Sequence, residues 1–217
     1  MPAFGRGSRL GRDKLWLEVA GQPLIAWTLR AAGAAAIAET VVVVAPRERW
    51  DAVQELCAAS ASWQVRVVEG GERRQDSVRA GLEASPDADI VCVHDAARPL
   101  CTPQLFREVV DAARRHGAAT AALPMIDSVK RVDAAGLILT TLDRTELVTV
   151  QTPQAFSMAL LREAHERALA DHLMVDDDCA LVEHIGLQVV TVPGDPRNIK
   201  VTGTADLALV ESLLTVP

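Results

Sequence analysis

Short apolar runs alternate along this chain with longer segments in which apolar residues recur every three or four positions. Short apolar runs of this length are typical of buried strands. They cover residues 40–44, 65–68, 90–93, 118–123 and 187–192. The longer segments predict helices at residues 23–32, 47–58, 75–83 and 102–116. Pro23 and Pro103 suit the first turns of two of these helices. Such alternation predicts βαβ units, and therefore an α/β fold with a mostly parallel sheet and helices on both faces.

Residues 128–150 interrupt this rhythm with a strand, a turn and a second strand. The turn reads Asp133-Ala134-Ala135-Gly136, which indicates a hairpin and not a crossover. A hairpin inserted in a doubly wound domain is often an arm that packs on a second subunit. An ordinary antiparallel sheet edge is the alternative.

The amino-terminal end is short for this class of fold. A glycine loop is normally preceded by an apolar strand, whereas only Met1-Pro2-Ala3-Phe4 precede Gly5. We therefore expect the first strand to be missing. Without repeats or obvious linkers, residues 1–217 are predicted to form a single domain.

Composition excludes several classes of partner. The net charge of −7 argues against a nucleic acid as the main ligand. No apolar stretch approaches the roughly 20 residues that a membrane helix needs, and no targeting segment is recognisable. The four cysteines lack metal-ligand spacing, so reduced thiols and a cytoplasmic location are expected.

The most informative motif is Val93-His94-Asp95-Ala96-Ala97-Arg98-Pro99, which closes a predicted buried strand. Ligands of open α/β sheets bind at the carboxyl ends of strands. A carboxylate there can hold a divalent metal, small residues let a ligand approach the backbone, and an arginine fork can bind a phosphate. A turn with an aspartate cap and a surface arginine is the alternative, and this segment alone does not decide between them.

Two glycine-containing segments could bind a nucleotide. Residues 5–14 combine glycines with Arg9 and Lys14, a composition that suits phosphate binding by backbone amides and cations. The segment is neither a P-loop nor a dinucleotide fingerprint, and a flexible basic terminus is its alternative. In residues 70–77, glycines could admit a base and Ser77 could donate to a pyrimidine. Taken alone, this second segment is better explained as a plain strand-to-helix turn with Asp76 near the helix cap.

Three later features carry weaker signals. Thr152 in Gln151-Thr152-Pro153-Gln154 could present a hydroxyl to a phosphate, and Lys200 lies between apolar residues in Asn198-Ile199-Lys200-Val201-Thr202. The acids at 176–178 are most simply helix-dipole partners and a cap, and a metal site is the less favoured alternative. No histidine or serine stands in a recognisable covalent-catalysis motif.

Taken in order, these motifs resemble the methylerythritol phosphate cytidylyltransferase family over nearly the whole chain. The family's glycine-rich opening is matched by Gly5, Gly7, Arg9 and Lys14, and its G-G-x-x-R-x-x-S stretch by Gly70, Gly71, Arg74 and Ser77. The V-H-D-A-A-R-P heptapeptide is matched without change at residues 93–99, and N-I-K-V-T at residues 198–202.

The resemblance implies a Rossmann-like nucleotidyltransferase sheet of the GT-A type, with the hairpin as a dimerisation arm. It implies a homodimer that transfers a cytidylyl group from CTP to the sugar-alcohol phosphate methylerythritol phosphate, releasing pyrophosphate. By the resemblance, Asp95 would hold Mg²⁺, and Arg9, Lys14 and Lys200 would stabilise the transition state. The nucleotide would be bound by Ala3, Gly5, Gly7, Gly71, Arg74 and Ser77. The acceptor would be bound by Arg98 and Thr152, joined by Ser128 and Arg144 from the partner's arm.

Two other hypotheses stay open at the level of sequence. A related cytidylyltransferase acting on ribitol phosphate shares most of these motifs. A catalytically impaired homologue that lacks the first strand is the other hypothesis.

Overall fold

A computed structural model describes residues 1, 14–61 and 63–215 of the chain. The seven helices in this part of the chain are α1 Leu24–Ala35, α2 Trp50–Ser60, α3 Arg74–Glu83, α4 Pro103–His116, α5 Met158–Ala170, α6 Asp178–His184 and α7 Thr204–Thr215. The strands are β1 Glu18–Val19, β2 Gln22–Pro23, β3 Thr40–Val44, β4 Gln64–Val68, β5 Ile90–Val93, β6 Ala118–Pro124, β7 Lys130–Val132, β8 Ile138–Thr141, β9 Val148–Ser157 and β10 Val190–Pro193. Short 3₁₀ helices occupy Lys14–Trp16, Arg47–Arg49 and Arg144–Glu146.

The central sheet has four strands in the order β10-β6-β9-β5. β10 is parallel to β6, and both β5 and β6 pair antiparallel with β9. Three of the four strands are therefore parallel to one another, and β3 and β4 form a separate parallel pair. The predicted α/β fold with a mostly parallel sheet is confirmed.

The predicted strands and helices lie close to the observed ones, with two local differences. Pro103 is the first residue of α4, where Thr102 Oγ1 accepts a hydrogen bond from Leu105 N at 3.2 Å. Pro23 stands one position outside α1, as the last residue of β2. The strand expected at 187–192 begins only at Val190, because residues 187–189 belong to the loop after α6.

Helices cover both faces of the central sheet, and successive residues of its strands belong alternately to two core clusters. Ala118 and Phe156 belong to a core cluster with α3, α5 and α6, whereas Ala119 and Ala155 belong to another cluster with α4. Successive residues of a strand point to opposite faces of the sheet. The two clusters therefore lie on opposite faces.

A groove separates β3 from β5. It forms a cavity of about 610 Å³ whose lining includes Val42 and Val44 of β3, the β5 residues and Met1. The Met1 amino group donates to Val42 O at 2.6 Å, and Val44 N donates to Met1 O at 3.0 Å. Met1 thus bonds to β3 as a strand residue would, and no other residue of the described ranges 14–61 and 63–215 fills the groove. The expectation of a missing first strand stays a prediction.

The predicted hairpin arm is present but shorter than residues 128–150. β7 and β8 pair antiparallel around the turn at Asp133 and Gly136. The last residues of the predicted arm belong instead to β9, which pairs with β6 down to Val148 and Pro124. The arm and the segments flanking it expose large apolar side chains: Ile126, Val132, Leu137, Ile138, Leu139, Leu142, Val148 and Val150.

The described helices include none that is both long enough and apolar enough to cross a membrane.

Candidate functional site

The end of β5 places Asp95 at the centre of a polar cluster. The Asp95 backbone N–H donates to Thr152 Oγ1 at 3.0 Å, which ties the strand end to β9. The next two carbonyl groups are also fixed: Ala96 O accepts from Thr28 Oγ1 at 2.8 Å, and Ala97 O accepts from Val201 N at 2.9 Å. These bonds hold Asp95 on a rigid segment.

Two cations bind the Asp95 carboxylate, which is only 7% exposed. Lys200 Nζ lies 2.6 Å from Oδ2, and Arg74 Nε lies 3.3 Å from Oδ1. Burial alone would raise the pKa of Asp95, but the charge of Lys200 and then that of Arg74 hold it well below its usual range. Asp95 is therefore ionised at neutral pH and is strongly paired.

Lys200 reaches Asp95 because the loop after β10 docks on β9. Asn198 Nδ2 donates to Thr152 O at 2.8 Å and to Gln151 Oε1 at 3.2 Å. Gln151 Nε2 in turn donates to Asp195 O at 3.0 Å. The loop is therefore anchored on both sides of Lys200, by Asn198 before it and by the Val201–Ala97 backbone bond after it.

Lys14 joins the same cluster from the amino-terminal side. Its Nζ donates to Val201 O at 2.9 Å, one residue beyond Lys200. Partial burial, followed by the nearby charge of Lys200, lowers the pKa of Lys14. Two lysines that are far apart in sequence thus stand close together, beside one carboxylate.

His94 is a buried residue of this cluster that links Thr152 to the backbone of Arg98. Its Nδ1 lies 3.1 Å from Thr152 Oγ1, and its Nε2 lies 3.4 Å from Arg98 O. Burial lowers the pKa of His94 to about 3, so the ring is neutral. The partners assign the tautomer, since Nε2–H can donate to the Arg98 carbonyl while Nδ1 accepts from the Thr152 hydroxyl. His94 therefore orients Thr152 and is not a charged participant.

Arg98, a predicted acceptor ligand, is buried close to this network. Its Nη1 donates to Asn198 O at 2.6 Å, and its Nε has no hydrogen-bond partner among the residues that the structure describes. The unpartnered Nε is a donor that a bound anion could use. Thr152 has both its donor and acceptor functions engaged by His94 and Asp95.

Other predicted site residues lie apart from these contacts. Ser77 is fully buried and donates to Arg73 O at 3.1 Å within its own helix, facing the β3–β5 groove. Gly71 is required by packing, because a Cβ there would lie 2.3 Å from Asp76 Cβ. Ser128 is exposed, and Arg144 donates to the Ile126 carbonyl. The predicted residues Ala3, Gly5, Gly7 and Arg9 lie outside the described part of the chain.

The sequence interpretation missed the residues that support the cluster. Asp178 was assigned to a helix dipole, yet it is 1% exposed and its Oδ2 lies 2.8 Å from Arg74 Nη1. The helix cap is Asp177, whose Oδ1 accepts from Cys179 N at 2.8 Å. Asn198 and Gln151 are polar residues of two sequence motifs. Only their hydrogen bonds in the folded protein show that they anchor the loop after β10 to β9.

The cluster suits an anionic ligand with several negative charges. Within residues 1, 14–61 and 63–215, no three His, Cys, Asp or Glu side chains form a ready metal site. Mg²⁺, however, is commonly bound through one or two carboxylates together with substrate phosphates. A single carboxylate surrounded by lysine and arginine fits that arrangement once a polyphosphate is bound.

Comparison with known proteins gives consistent matches over the whole chain. A family model described as "IspD: 2-C-methyl-D-erythritol 4-phosphate cytidylyltransferase" matches residues 1–216. A 2-C-methyl-D-erythritol 4-phosphate cytidylyltransferase of Synechococcus sp. (strain WH7803) is 44% identical over 215 residues, covering 98% of this chain and 96% of the relative. The protein of that name from Nocardia farcinica is 44% identical over 217 residues, covering 99% and 92% of the two chains.

Solved structures agree with these relatives. The crystal structure of 2-C-methyl-D-erythritol 4-phosphate cytidylyltransferase from Thermus thermophilus superposes with a TM-score of 0.79 at 37% identity, covering 94% of each chain. That of 4-diphosphocytidyl-2C-methyl-D-erythritol synthase from Anaerococcus prevotii gives a TM-score of 0.89 at 28% identity, covering 99% of this chain and 96% of the other.

Proposed function

This chain belongs to the IspD family of 2-C-methyl-D-erythritol 4-phosphate cytidylyltransferases, and from that membership we propose its reaction. It transfers a cytidylyl group from CTP to 2-C-methyl-D-erythritol 4-phosphate and releases pyrophosphate. This makes it a nucleotidyltransferase of isoprenoid precursor biosynthesis. The alternative acceptor, ribitol phosphate, is not favoured, since the matching family and relatives carry the methylerythritol name.

The observation that carries the proposal is the convergence of Lys14, Lys200 and Asp95. Val201 O accepts from Lys14 Nζ, while the adjacent Lys200 is paired with Asp95. The acceptor phosphate is largely ionised near neutral pH, because its second pKa is about 6. It can attack without a protein base, which agrees with the neutral, buried His94. The protein's contribution is then to position two anions and to neutralise the charge that develops at the α-phosphorus.

In this reaction the lysines act where negative charge accumulates. Lys14 donates to the carbonyl of Val201, the residue that follows Lys200, so one bound polyphosphate can meet both cations. Arg9 would add a bidentate donor from the amino-terminal loop. Because Lys14 is partly desolvated and held in place, little reorganisation is needed when charge develops.

Asp95 is the residue that would hold a magnesium ion. A magnesium ion held there would supply neutralisation of the phosphate charge. Lys200 holds Oδ2 of this carboxylate at 2.6 Å and is itself 42% exposed, so it can also contact the nucleotide phosphates. Arg74, whose Nε contacts Oδ1, would keep the Asp95 carboxylate oriented.

Nucleotide and acceptor are proposed to bind on either side of Asp95. Ala3, Gly5, Gly7, Gly71, Arg74 and Ser77 form the proposed nucleotide side. Arg98 and Thr152 form the acceptor side, where the unpartnered Arg98 Nε supplies a donor for the acceptor phosphate. Ser128 and Arg144 would complete this side from the arm of a partner subunit.

A homodimer is proposed because the arm has an apolar surface that the described chain does not cover. Leu137, Ile138 and Ile126 are each more than 60% exposed. A two-stranded hairpin is at best marginally stable alone in water. A second copy covering this surface would stabilise the arm and bring Arg144 near a neighbouring site. We also place the protein in the cytoplasm, in keeping with its four free cysteines.

Pyrophosphate release tests the proposed function. The full chain should release pyrophosphate with CTP and 2-C-methyl-D-erythritol 4-phosphate in the presence of Mg²⁺. Replacing CTP by ATP, GTP or UTP, or the acceptor by ribitol 5-phosphate, should reduce the rate strongly. Release with ribitol 5-phosphate alone would assign the other acceptor. A folded protein that releases none with either acceptor would be the impaired homologue.

A further inference from the structure

Asp178 is a buried acid that the proposed reaction does not use. It lies at the start of α6 and is 1% exposed, so its charge must be matched by partners within the protein. Its Oδ2 lies 2.8 Å from Arg74 Nη1, and its Oδ1 lies 3.4 Å from His165 Nε2 on α5. A carboxylate this buried is retained only where its neighbours compensate it.

Arg74 connects Asp178 with the site. Its guanidinium contacts Asp95 through Nε and Asp178 through Nη1, so one planar group spans both acids. Burial alone would lower the pKa of Arg74, but Asp178 and then Asp95 raise it, so the arginine is charged. Because the guanidinium fork is rigid, fixing one edge fixes the direction of the other.

The two contacts of Arg74 differ in strength. The Asp178 contact is shorter, 2.8 Å against 3.3 Å, and Asp178 is the more deeply buried acid. Asp178 is anchored on α6, whose amino-terminal end is capped by Asp177. Asp178 therefore holds the guanidinium at a shorter distance than Asp95 does, and Asp95 is the end of the bridge that faces the site.

From this geometry we propose that Asp178 is a positioning residue that orients Asp95 through Arg74. Without Asp178, the guanidinium would lose its fixed edge, and Lys200, which is already the closer cation at 2.6 Å, would hold Asp95 with less opposition from Arg74. Asp95 would then be drawn toward Lys200, and the cluster would meet the nucleotide phosphates in a different arrangement. The inference rests on the proposed function, since it concerns the site of that reaction.

The test compares three single variants at neighbouring positions. Asp178→Asn keeps the size of the side chain and removes its charge. Asp176→Asn removes a charge from an exposed neighbour, and Asp177→Ala removes the helix cap without touching Arg74. Kinetic constants are measured for CTP and the acceptor, together with the thermal midpoint of each variant.

We expect Asp178→Asn to lower kcat by about 10-fold to 100-fold, the range typical of losing a residue that supports a reactive-site ligand. Asp177→Ala should lower the thermal midpoint while keeping kcat near that of the wild type, and Asp176→Asn should change neither. If Asp178→Asn keeps kcat within twofold of the wild type, the proposal is overturned. A fall in kcat of equal size in Asp177→Ala would also overturn it, because helix stability would then explain both.

A double-mutant cycle separates positioning through Arg74 from an independent effect. Arg74→Lys keeps the positive charge but cannot span both acids, so it should lose activity to a similar extent. Adding Asp178→Asn to Arg74→Lys should then cost little more, because coupled residues are not additive. Additive losses in kcat would overturn the proposal. If Asp178→Asn does not fold, Arg74→Lys takes its place: wild-type kcat would overturn the proposal, as would a loss confined to a higher KM for CTP, which a direct nucleotide contact of Arg74 would explain. A lower kcat with an unchanged KM for CTP would support it. Wild-type protein without activity would refute the proposed function itself, which is a different outcome.

Discussion

Lys200 Nζ lies 2.6 Å from Asp95 Oδ2, although the two residues are 105 positions apart in the sequence. The pair is held from both sides, by the Asp95–Thr152 bond on the strand end and by the Val201–Ala97 bond on the loop. Lys200 is still 42% exposed, so a ligand can reach its ammonium group. The ion pair thus holds the Lys200 ammonium group in a defined position where a bound phosphate can contact it.

The two lysines should each be needed for turnover. Replacing Lys14 or Lys200 by Ala removes one preorganised donor to the polyphosphate, which should lower kcat by roughly 10²–10³. Pyrophosphate release under saturating substrates measures the effect. Lys130→Ala is the control, because Lys130 is exposed on the arm and donates to Thr141. A variant within a few-fold of the wild type would remove that lysine from the transition state.

Asp95 should determine the magnesium requirement. Asp95→Asn keeps the shape of the side chain but loses the charge that would hold the metal. We expect a slower reaction and a higher Mg²⁺ concentration for half-maximal activity, measured by titration at saturating CTP. A loss of activity with an unchanged Mg²⁺ dependence would instead assign Asp95 to acceptor binding or to structure.

The pH dependence should follow the acceptor phosphate and not a side chain of the cluster. Asp95 has a pKa well below its usual range and stays ionised, and His94, with a pKa of about 3, stays neutral between pH 5 and 8. Activity should therefore fall as the pH drops through about 6, where the phosphate gains a proton. The profile of kcat/KM for the acceptor measures this. An acid limb that moves in His94→Gln would identify the histidine as the titrating group.

The β3–β5 groove should accept an added strand. Four residues such as Val-Ile-Val-Ala placed before Met1 would continue its bonds along β3, filling the cavity and replacing a buried amino group whose pKa burial lowers to about 6. We expect a higher thermal midpoint, slower amide exchange in residues 40–44 and 90–93, and tighter CTP binding than in the present chain.

A Gly-Ser extension of the same length is the matched control, since it can form the backbone bonds but buries no apolar side chain. Equal thermal midpoints of the two extended proteins would show that the groove does not select an apolar strand. Tight CTP binding by the unextended chain would show that the glycine loop needs no such support.

The site should be shared between two subunits through the arm. Arg144→Ala should raise the acceptor KM and leave CTP affinity nearly unchanged, whereas Arg131→Ala, elsewhere on the exposed arm, should change neither. Mixing Arg144→Ala with Lys200→Ala chains should restore part of the activity, because each heterodimer contains one site with both residues native. Heterodimers that form but restore no activity would place Arg144 in its own chain's site or outside the reaction.

Much of the fold follows from local pattern. Short apolar runs predicted β3, β5 and β6 nearly to the residue, and the alternation with helical segments predicted the class. β9 was not predicted as a strand of the central sheet, because Pro153 and three polar residues interrupt its apolar pattern. Its place is decided by pairing with both β5 and β6, which no local signal contains.

The same division holds for the site. The sequence by itself determined which residues carry charge at the strand end and in the last motif, and the heptapeptide around Asp95 identified the family. Only the tertiary structure decided that Lys14 and Lys200 meet at Val201, that His94 is neutral, and that Asp178 reaches Asp95 through Arg74. The reason is physical: residue type fixes what a group can do, whereas burial and long-range hydrogen bonds fix its charge state and its partners.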